Sequence, residues 1–241
     1  MTAIDLPLPG ALRAFDAMFL PWMRRRIAAV HITGLDNAGS KRPLILVSNH
    51  VSWWDGFLLR EVHRLLRPGA PLNTVMLESE LGRRPLFRLL GCVGIDPGSP
   101  TSVARCVRSL RGRLERRPDS VVAYFPQGRI WPSHVRPLGF EKGIELFARH
   151  LPAADILPLG IHLEPLSAPA PHAFLAAGKV VDAQSATAAD LEQTVERLLD
   201  GILSFVAEHG EGAPAAWPSV RGSMSALRGG APEIALVRAT G

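Results

Sequence analysis

Leu44-Ile45-Leu46-Val47-Ser48-Asn49-His50-Val51-Ser52-Trp53-Trp54-Asp55 is the stretch on which the fold turns. Its four leading apolar residues are too short a run for a buried helix and read as a strand. The polar residues after them break the run, and Asp55 opens a helix expected over 55–66. A strand leading straight into a helix is the building unit of an α/β domain. The alternation continues outward, with strands expected at 43–48, 73–77, 92–96, 120–125, 155–163 and 173–181 and helices near 84–90, 102–116 and 142–150. The expected fold class is therefore α/β: a mixed, largely parallel sheet flanked by helices, with an N-terminal amphipathic helical segment.

That N-terminal segment places Leu12, Phe15, Phe19, Trp22, Met23 and Ile27 at helical spacings, with Pro21 in its middle and Arg24-Arg25-Arg26 behind the aromatic residues. It reads as a short pair of amphipathic helices. Large apolar side chains ending in a run of arginines suit a helix lying in a membrane interface, and equally a helix docked on a core with a solvated basic end. At the other end, a helix over 190–209 is expected to open at Asp190, with Gln193 three residues on, and to close at Gly210. The sequence after it is rich in Gly, Ala, Pro and Ser and reads as a mobile tail. The domain plan is thus 1–29, membrane-docking helices; 30–209, the α/β domain; 210–241, a flexible tail.

The chain has 241 residues, 47% hydrophobic and 20% charged, which excludes a disordered or fibrous protein and fits one core. Its two cysteines, Cys92 and Cys106, match neither a disulfide framework nor a zinc pattern, and no metal site is expected. No spanning helix is apparent, and Met1–Gly10 lacks the features of a signal peptide, so a cytoplasmic location is expected. Between Arg60 and Arg117 twelve arginines face five acids, an excess that points to an anionic partner such as a membrane surface. Nucleic acid is the weaker candidate, because this stretch has no interleaved aromatics for base stacking and matches no docking motif.

Motifs for a serine-hydrolase elbow, a zincin, a P-loop and a dinucleotide fingerprint are absent. What remains is His50, where the apolar strand runs out, and Asp55, where the next helix begins. Strand ends in α/β sheets form crevices. A carboxylate five residues on can fold back onto one imidazole nitrogen, fixing the tautomer and leaving the other nitrogen to take a proton. With no nucleophile elbow around it, such a dyad suits activation of a hydroxyl that arrives with the substrate. Spacing alone equally allows a histidine in a turn with Asp55 as an ordinary helix cap.

Asn49-His50-Val51-Ser52-Trp53-Trp54-Asp55 resembles the first motif, NHxSxxD, of the glycerolipid and lysophospholipid acyltransferases, a family that includes the 1-acylglycerol-3-phosphate acyltransferases. Later blocks follow in that family's order: Gly91–Asp96 resembles the second, Tyr124-Phe125-Pro126-Gln127-Gly128 the third (FPEG), Phe140-Glu141-Lys142-Gly143 the FKxG element, and Ile156–Gly160 the fourth. The resemblance implies transfer of a fatty acyl group from acyl-CoA or acyl carrier protein to a hydroxyl of a membrane lipid acceptor of lysophospholipid type. It implies His50 as general base, Asp55 as its orienting partner, Gln127 and Gly128 in the loop that stabilises the oxyanion, and no cofactor or metal. Acceptor binding would fall to Arg129 and Lys142.

Two departures bear on the acceptor. The second block ends Asp96-Pro97 instead of Asp-Arg, and the third reads Phe125-Pro126-Gln127-Gly128-Arg129-Ile130 instead of FPEGTR, so one expected arginine is missing and one is shifted. Gln127 keeps the shape of the family's glutamate without its charge, and is expected to hold its partners more weakly. A phosphate-free acceptor, a glycolipid or aminolipid, is therefore the alternative, and a catalytically silent lipid-binding member of the fold is another. The expected location is the inner face of the cell membrane, bound peripherally.

Overall fold

The computed structural model describes residues 10–35, 42–151 and 153–220. Strand β2 (Leu44–Ser48) is buried along its whole length and lies mid-sheet, parallel to β5 (Val121–Tyr124) on one side and to β6 (Asp155–Glu164) on the other. A strand covered on both faces has no polar side to alternate with, which is why its sequence reads as one apolar run. The two faces sort cleanly. Ile45, Val47, Val122, Tyr124 and Ile156 enter one hydrophobic cluster, and Leu44, Leu46, Val121, Ala123 and Leu157 enter the other.

Among the described residues the sheet has eight strands in the order β1-β7-β6-β2-β5-β3-β4, with β8 (Val181–Asp182) paired to β6. Here β1 is Ala29–Thr33, β3 Leu72–Leu77, β4 Val93–Ile95 and β7 His172–Ala177. All neighbours run parallel except β6 with β7 and β6 with β8. Long β6 serves both arrangements, parallel to β2 over Asp155–Leu159 and antiparallel to β7 over Leu159–Glu164. The expected mixed, largely parallel sheet is the observed one.

Helices cover both faces. Helix α1 (Ala11–Met23) and α2 (Asp55–Leu66) lie on one. On the other lie α5 (Pro100–Arg116), α6 (Gly143–His150) and α7 (Ala188–His209). The short helices α3 (Glu78–Arg83) and α4 (Leu86–Leu89) join β3 to β4.

Several expectations are corrected. The N-terminal segment is one helix rather than a pair: it runs through Pro21, which forgoes one amide bond in the last turn, and ends two residues later at Met23. The run 173–181 is two strands, β7 and β8. Helix α7 is opened by Thr187, whose hydroxyl accepts from the Asp190 amide at 3.1 Å and donates to its carboxylate at 2.7 Å, so Asp190 is the third residue of the helix and not its start. The segment after Gly210 continues in packed turns, including α8 (Ala213–Ala216), to Val220. Trp217 is buried against Phe174 and Phe205, and the Val220 amide donates to the Ile32 carbonyl of the edge strand β1. Residues 221–241 lie outside those described.

Helix α1 is fastened to α2 by a buried polar chain. Asp16 accepts two hydrogen bonds from the Arg60 guanidinium, at 2.6 and 3.3 Å. Arg60 also donates to His63 Nδ1, so the His63 Nε2–H donates to the Ala70 carbonyl at 3.0 Å. Burial and the adjacent Arg60 push the His63 imidazole down to about 4, and burial and His172 do the same to His31, also to about 4. Arg113 is buried too, while Arg64, Arg83, Arg84, Arg88, Arg111 and Arg117 pair with carboxylates, so much of the arginine excess of 60–117 is engaged within the chain.

The two buried imidazoles make stability pH-dependent. Their folded values lie below the ordinary 6.5, so between about pH 6.5 and 4 the unfolded chain binds more protons than the folded one. Stability is expected to fall as pH is lowered through that window. Melting temperatures across it, with ring NMR signals of His31 and His63 remaining those of neutral imidazole near pH 5.5, check this; protonated rings in a fully folded chain at that pH would contradict it.

Candidate active site

Parallel neighbours present their C-terminal ends on the same edge, so the residues leaving β2 and β5 meet. His50 leaves β2 and Gln127 leaves β5. His50 Nδ1–H donates to Asp55 Oδ2 at 2.7 Å, the tautomer following from the carboxylate's inability to donate. Asp55 is wholly buried at the first position of α2, and His50 is partly open. The same Oδ2 accepts the amides of Val51 at 2.6 Å and Ser52 at 2.9 Å, and Oδ1 accepts the Ser52 hydroxyl at 2.5 Å. Four donors and a helix N-terminus offset the removal of this carboxylate from water. Asp55 is the first residue of α2, after Trp54 at the cap position, and its side chain turns back to the imidazole instead of capping the helix.

The rest of the motif is scaffold. Asn49, fully buried, donates to the Ile161 carbonyl at 2.9 Å and accepts the Ile161 amide at 2.8 Å, adding a side-chain rung where the β2–β6 ladder ends. Ser52 Oγ accepts the Trp54 amide at 3.1 Å. The His50 ring stacks on Phe125, centroids 4.4 Å apart, and its carbonyl accepts from the Trp131 amide at 2.7 Å.

Gln127 is buried and committed at both ends. Its Oε1 accepts the His50 amide at 2.6 Å, and its Nε2 donates to the Leu138 carbonyl at 2.9 Å. The amide's donor meets a carbonyl that a carboxylate would repel. Gly128, in the left-handed region at φ 63°, donates its own amide to the Phe125 carbonyl at 3.1 Å, closing a turn. The next two backbone amides, of Arg129 and Ile130, have no acceptor among the described residues.

A cavity of about 970 Å³ opens beside the dyad. His50, Phe125, Gln127, Gly128 and Arg129 line it together with an apolar wall that includes Phe15, Phe57, Met76, Leu77, Phe87 and Ile95. Arg129 lies with its guanidinium 4.2 Å from the Trp131 ring centroid. Lys142, expected beside it, is exposed and does not line the cavity; Glu141, one residue earlier, does. The sequence gives Glu141 only as part of the FKxG element, because the facing of two adjacent loop residues has no periodicity to reveal it. Cys92 also lines the cavity, with burial pushing its thiol up to about 12. Among the described residues, no group of three or more His, Cys, Asp or Glu side chains is placed to hold a metal ion.

The Acyltransferase family model matches residues 29–166, which span the sheet's first six strands and the whole dyad motif. The chain belongs to the acyltransferase family. It is an acyltransferase in which the family's histidine motif is intact and folded into a hydrogen-bonded dyad. Among solved structures, this acyltransferase is similar to the 1-acyl-sn-glycerophosphate (LPA) acyltransferase, PlsC, of Thermotoga maritima, at 20% identity over 80% of this chain and 77% of that one, with a TM-score of 0.53. That likeness is one of fold.

Gln127 offers a stability test with a definite sign. Gln127→Glu keeps the acceptor for the His50 amide but sets a carboxylate oxygen against the Leu138 carbonyl. The variant is expected to lose about 1–3 kcal/mol near pH 8. It should recover as pH falls, because a protonated glutamic acid donates where the amide did. Melting temperatures of parent and variant compared at about pH 5 and 8 read this, and a gap that widens on acidification would contradict it.

Proposed function

We propose that this acyltransferase moves a fatty acyl group from acyl-CoA or acyl carrier protein to a hydroxyl of a lysophospholipid-type acceptor by His50–Asp55 general-base catalysis. The observation that carries this reading is the 2.7 Å contact between His50 Nδ1 and Asp55 at the edge of a long, mainly apolar cavity. With Nδ1 taken, His50 Nε2 receives the proton of the acceptor hydroxyl. The acceptor oxygen bonds to the thioester carbonyl carbon, and the negative charge moves to the carbonyl oxygen. Donors for that oxyanion are the amides of Arg129 and Ile130, since the Gly128 amide closes a turn. The carbon–sulfur bond then breaks, and the imidazolium, steadied by buried Asp55, returns the proton to the leaving thiolate. The apolar wall takes the acyl chain, each buried methylene contributing about 0.8 kcal/mol. Neither a cofactor nor a metal enters these steps. The Thermotoga maritima enzyme of the same fold is named for a 1-acyl-sn-glycerophosphate acceptor, a lipid of the class proposed here.

The protein acts from the membrane surface, on the inner face of the cell membrane. Among the described residues no helix is long and apolar enough to cross a membrane. Instead Met18, Trp22 and Trp53 are 66%, 38% and 42% exposed, with the two tryptophan rings 5.7 Å apart. Arg24, Arg25 and Arg26 adjoin them. Exposed apolar rings beside cations are what an interfacial surface requires. Because Met23 and Ile27 are core residues and Leu12 and Phe15 wall the cavity, α1 is also part of the catalytic body.

His50→Ala is expected to lower transfer by roughly 10²–10⁴ while leaving the circular dichroism and melting temperature near the parent's. Asp55→Asn should lower transfer as well, through loss of the correct tautomer. Full activity in a folded His50→Ala protein would overturn the mechanism. Comparison of lipid extracts from cells with and without active protein identifies the product.

Membrane attachment is tested by substitution, since deleting α1 would expose the core. The triple variant Met18→Ser, Trp22→Ser, Trp53→Ser should move from anionic vesicles to the supernatant in co-sedimentation. Unchanged sedimentation would place the contact elsewhere.

A further inference from the structure

The cavity draws its wall from both faces of the sheet. Leu12, Phe57, Leu72 and Phe125 belong to the core under α1 and α2, whereas Ile95, Val103, Tyr124 and Phe147 belong to the core under α5 and α6. The first side reaches the surface at exposed Trp53, among the membrane-facing rings; the second lies across the sheet from them. Three polar side chains on the cavity wall are buried. Arg60 is paired with Asp16, and Gln127 is bonded at both ends. Tyr124, only 8% exposed, has no hydrogen-bond partner among the described residues, and its hydroxyl is not sealed within the core but borders the cavity.

The surroundings keep room for that hydroxyl. A Cβ on Gly143 would stand 2.7 Å from Tyr124 Oη, so any side chain there would displace it. The Phe147 ring packs against the phenol with centroids 5.0 Å apart. Burial, then the neighbouring Cys106 and Glu141, raise the phenol above its ordinary range, so it stays neutral and keeps its proton to donate. Phe125, the next residue, stacks on His50 from the opposite face, so successive residues at the end of β5 set the hydroxyl and the base. A buried hydroxyl without a partner is unfavourable until a polar group of a ligand meets it. A plain acyl chain carries no polar group beyond its thioester, and the lipid acceptor arrives from the membrane. On the far side of the sulfur, acyl-CoA and acyl carrier protein share a pantetheine arm whose first amide lies two carbons away. We propose that the α5–α6 side of the cavity receives this arm, with Tyr124 Oη donating to the carbonyl of the amide nearest the thioester. The inference rests on the acyl-transfer reading above and adds the donor's direction: acyl chain towards α1 and α2, arm towards α5 and α6.

Two thioesters isolate the amide: S-dodecanoyl-N-acetylcysteamine, which carries it, and S-dodecanoyl-pentanethiol, of equal length without it. Their Kd values are measured on the full chain carrying His50→Ala, which leaves the thioesters intact, and their KM values on the parent with 1-acylglycerol-3-phosphate. The amide-bearing donor is expected to bind about threefold to tenfold more tightly, the range of one neutral hydrogen bond. Adding Tyr124→Phe, which removes one oxygen and should leave the melting temperature near the parent's, should erase the preference, and Gly143→Ala should reduce it. Equal binding of the two thioesters, or a preference unchanged by Tyr124→Phe, would overturn the proposal. The two sources of the arm are separated by the kcat/KM of dodecanoyl-CoA against dodecanoyl carrier protein; Tyr124→Phe should raise the KM of whichever is used and leave the acceptor KM unchanged. An amide preference that depends on Tyr124, with no transfer by the parent to any lipid hydroxyl, would overturn acyl transfer and sustain the arm site; transfer without the preference would do the reverse.

Discussion

Everything at the site is organised around one carboxylate taken out of water. An isolated buried carboxylate is so unfavourable that it would protonate or hold the chain open. Asp55 avoids this by collecting four donors from within five residues of itself. Those donors dictate the path of the turn from β2 to α2. The amides of Val51 and Ser52 must point inward, Ser52 must be a hydroxyl residue, and the His50 ring must present Nδ1. The turn is thus determined by satisfaction of a buried carboxylate, and the orientation of the His50 ring is a by-product of that satisfaction.

A second layer holds this turn to the sheet. Asn49 reaches β6 on one side, and Gln127 reaches in from the β5 side to the His50 amide, so the motif is clasped between the two strands that flank β2. Neither clasp is charged. Each uses an amide side chain whose oxygen and nitrogen match a backbone donor and acceptor, an arrangement that a carboxylate cannot reproduce at both ends. The site therefore combines one buried carboxylate at its centre with neutral bidentate struts around it.

Much of the sheet could be read from the sequence because its strands are buried on both faces and show as bare apolar runs; 44–47 and 155–163 are the clearest. Helix 55–66 was legible to the residue because Asp55 marks its start. Where burial is slight the reading fails: α3, Glu78–Arg83, buries Leu81 alone and has no apolar face to announce it. Trp217 lies in a stretch whose composition suggests a tail, yet one aromatic finding a gap beside Phe174 orders it. At the site, His50 and Asp55 are close in sequence and could be paired on paper. Gln127 could be placed in the loop by resemblance, but its bond to the His50 amide could not be read from the sequence, since it depends on which strand end it meets across the fold.

The Asn49–Ile161 clasp joins residues 112 positions apart. Pairings of such separation form only after much of the intervening chain has been organised. Partly folded forms in which β6 has not yet docked therefore lack the strut that fixes the turn ahead of His50, and cannot present a working dyad even if the turn itself has formed. In refolding experiments, the return of turnover should coincide with completion of the sheet's centre and not with the earlier return of helix.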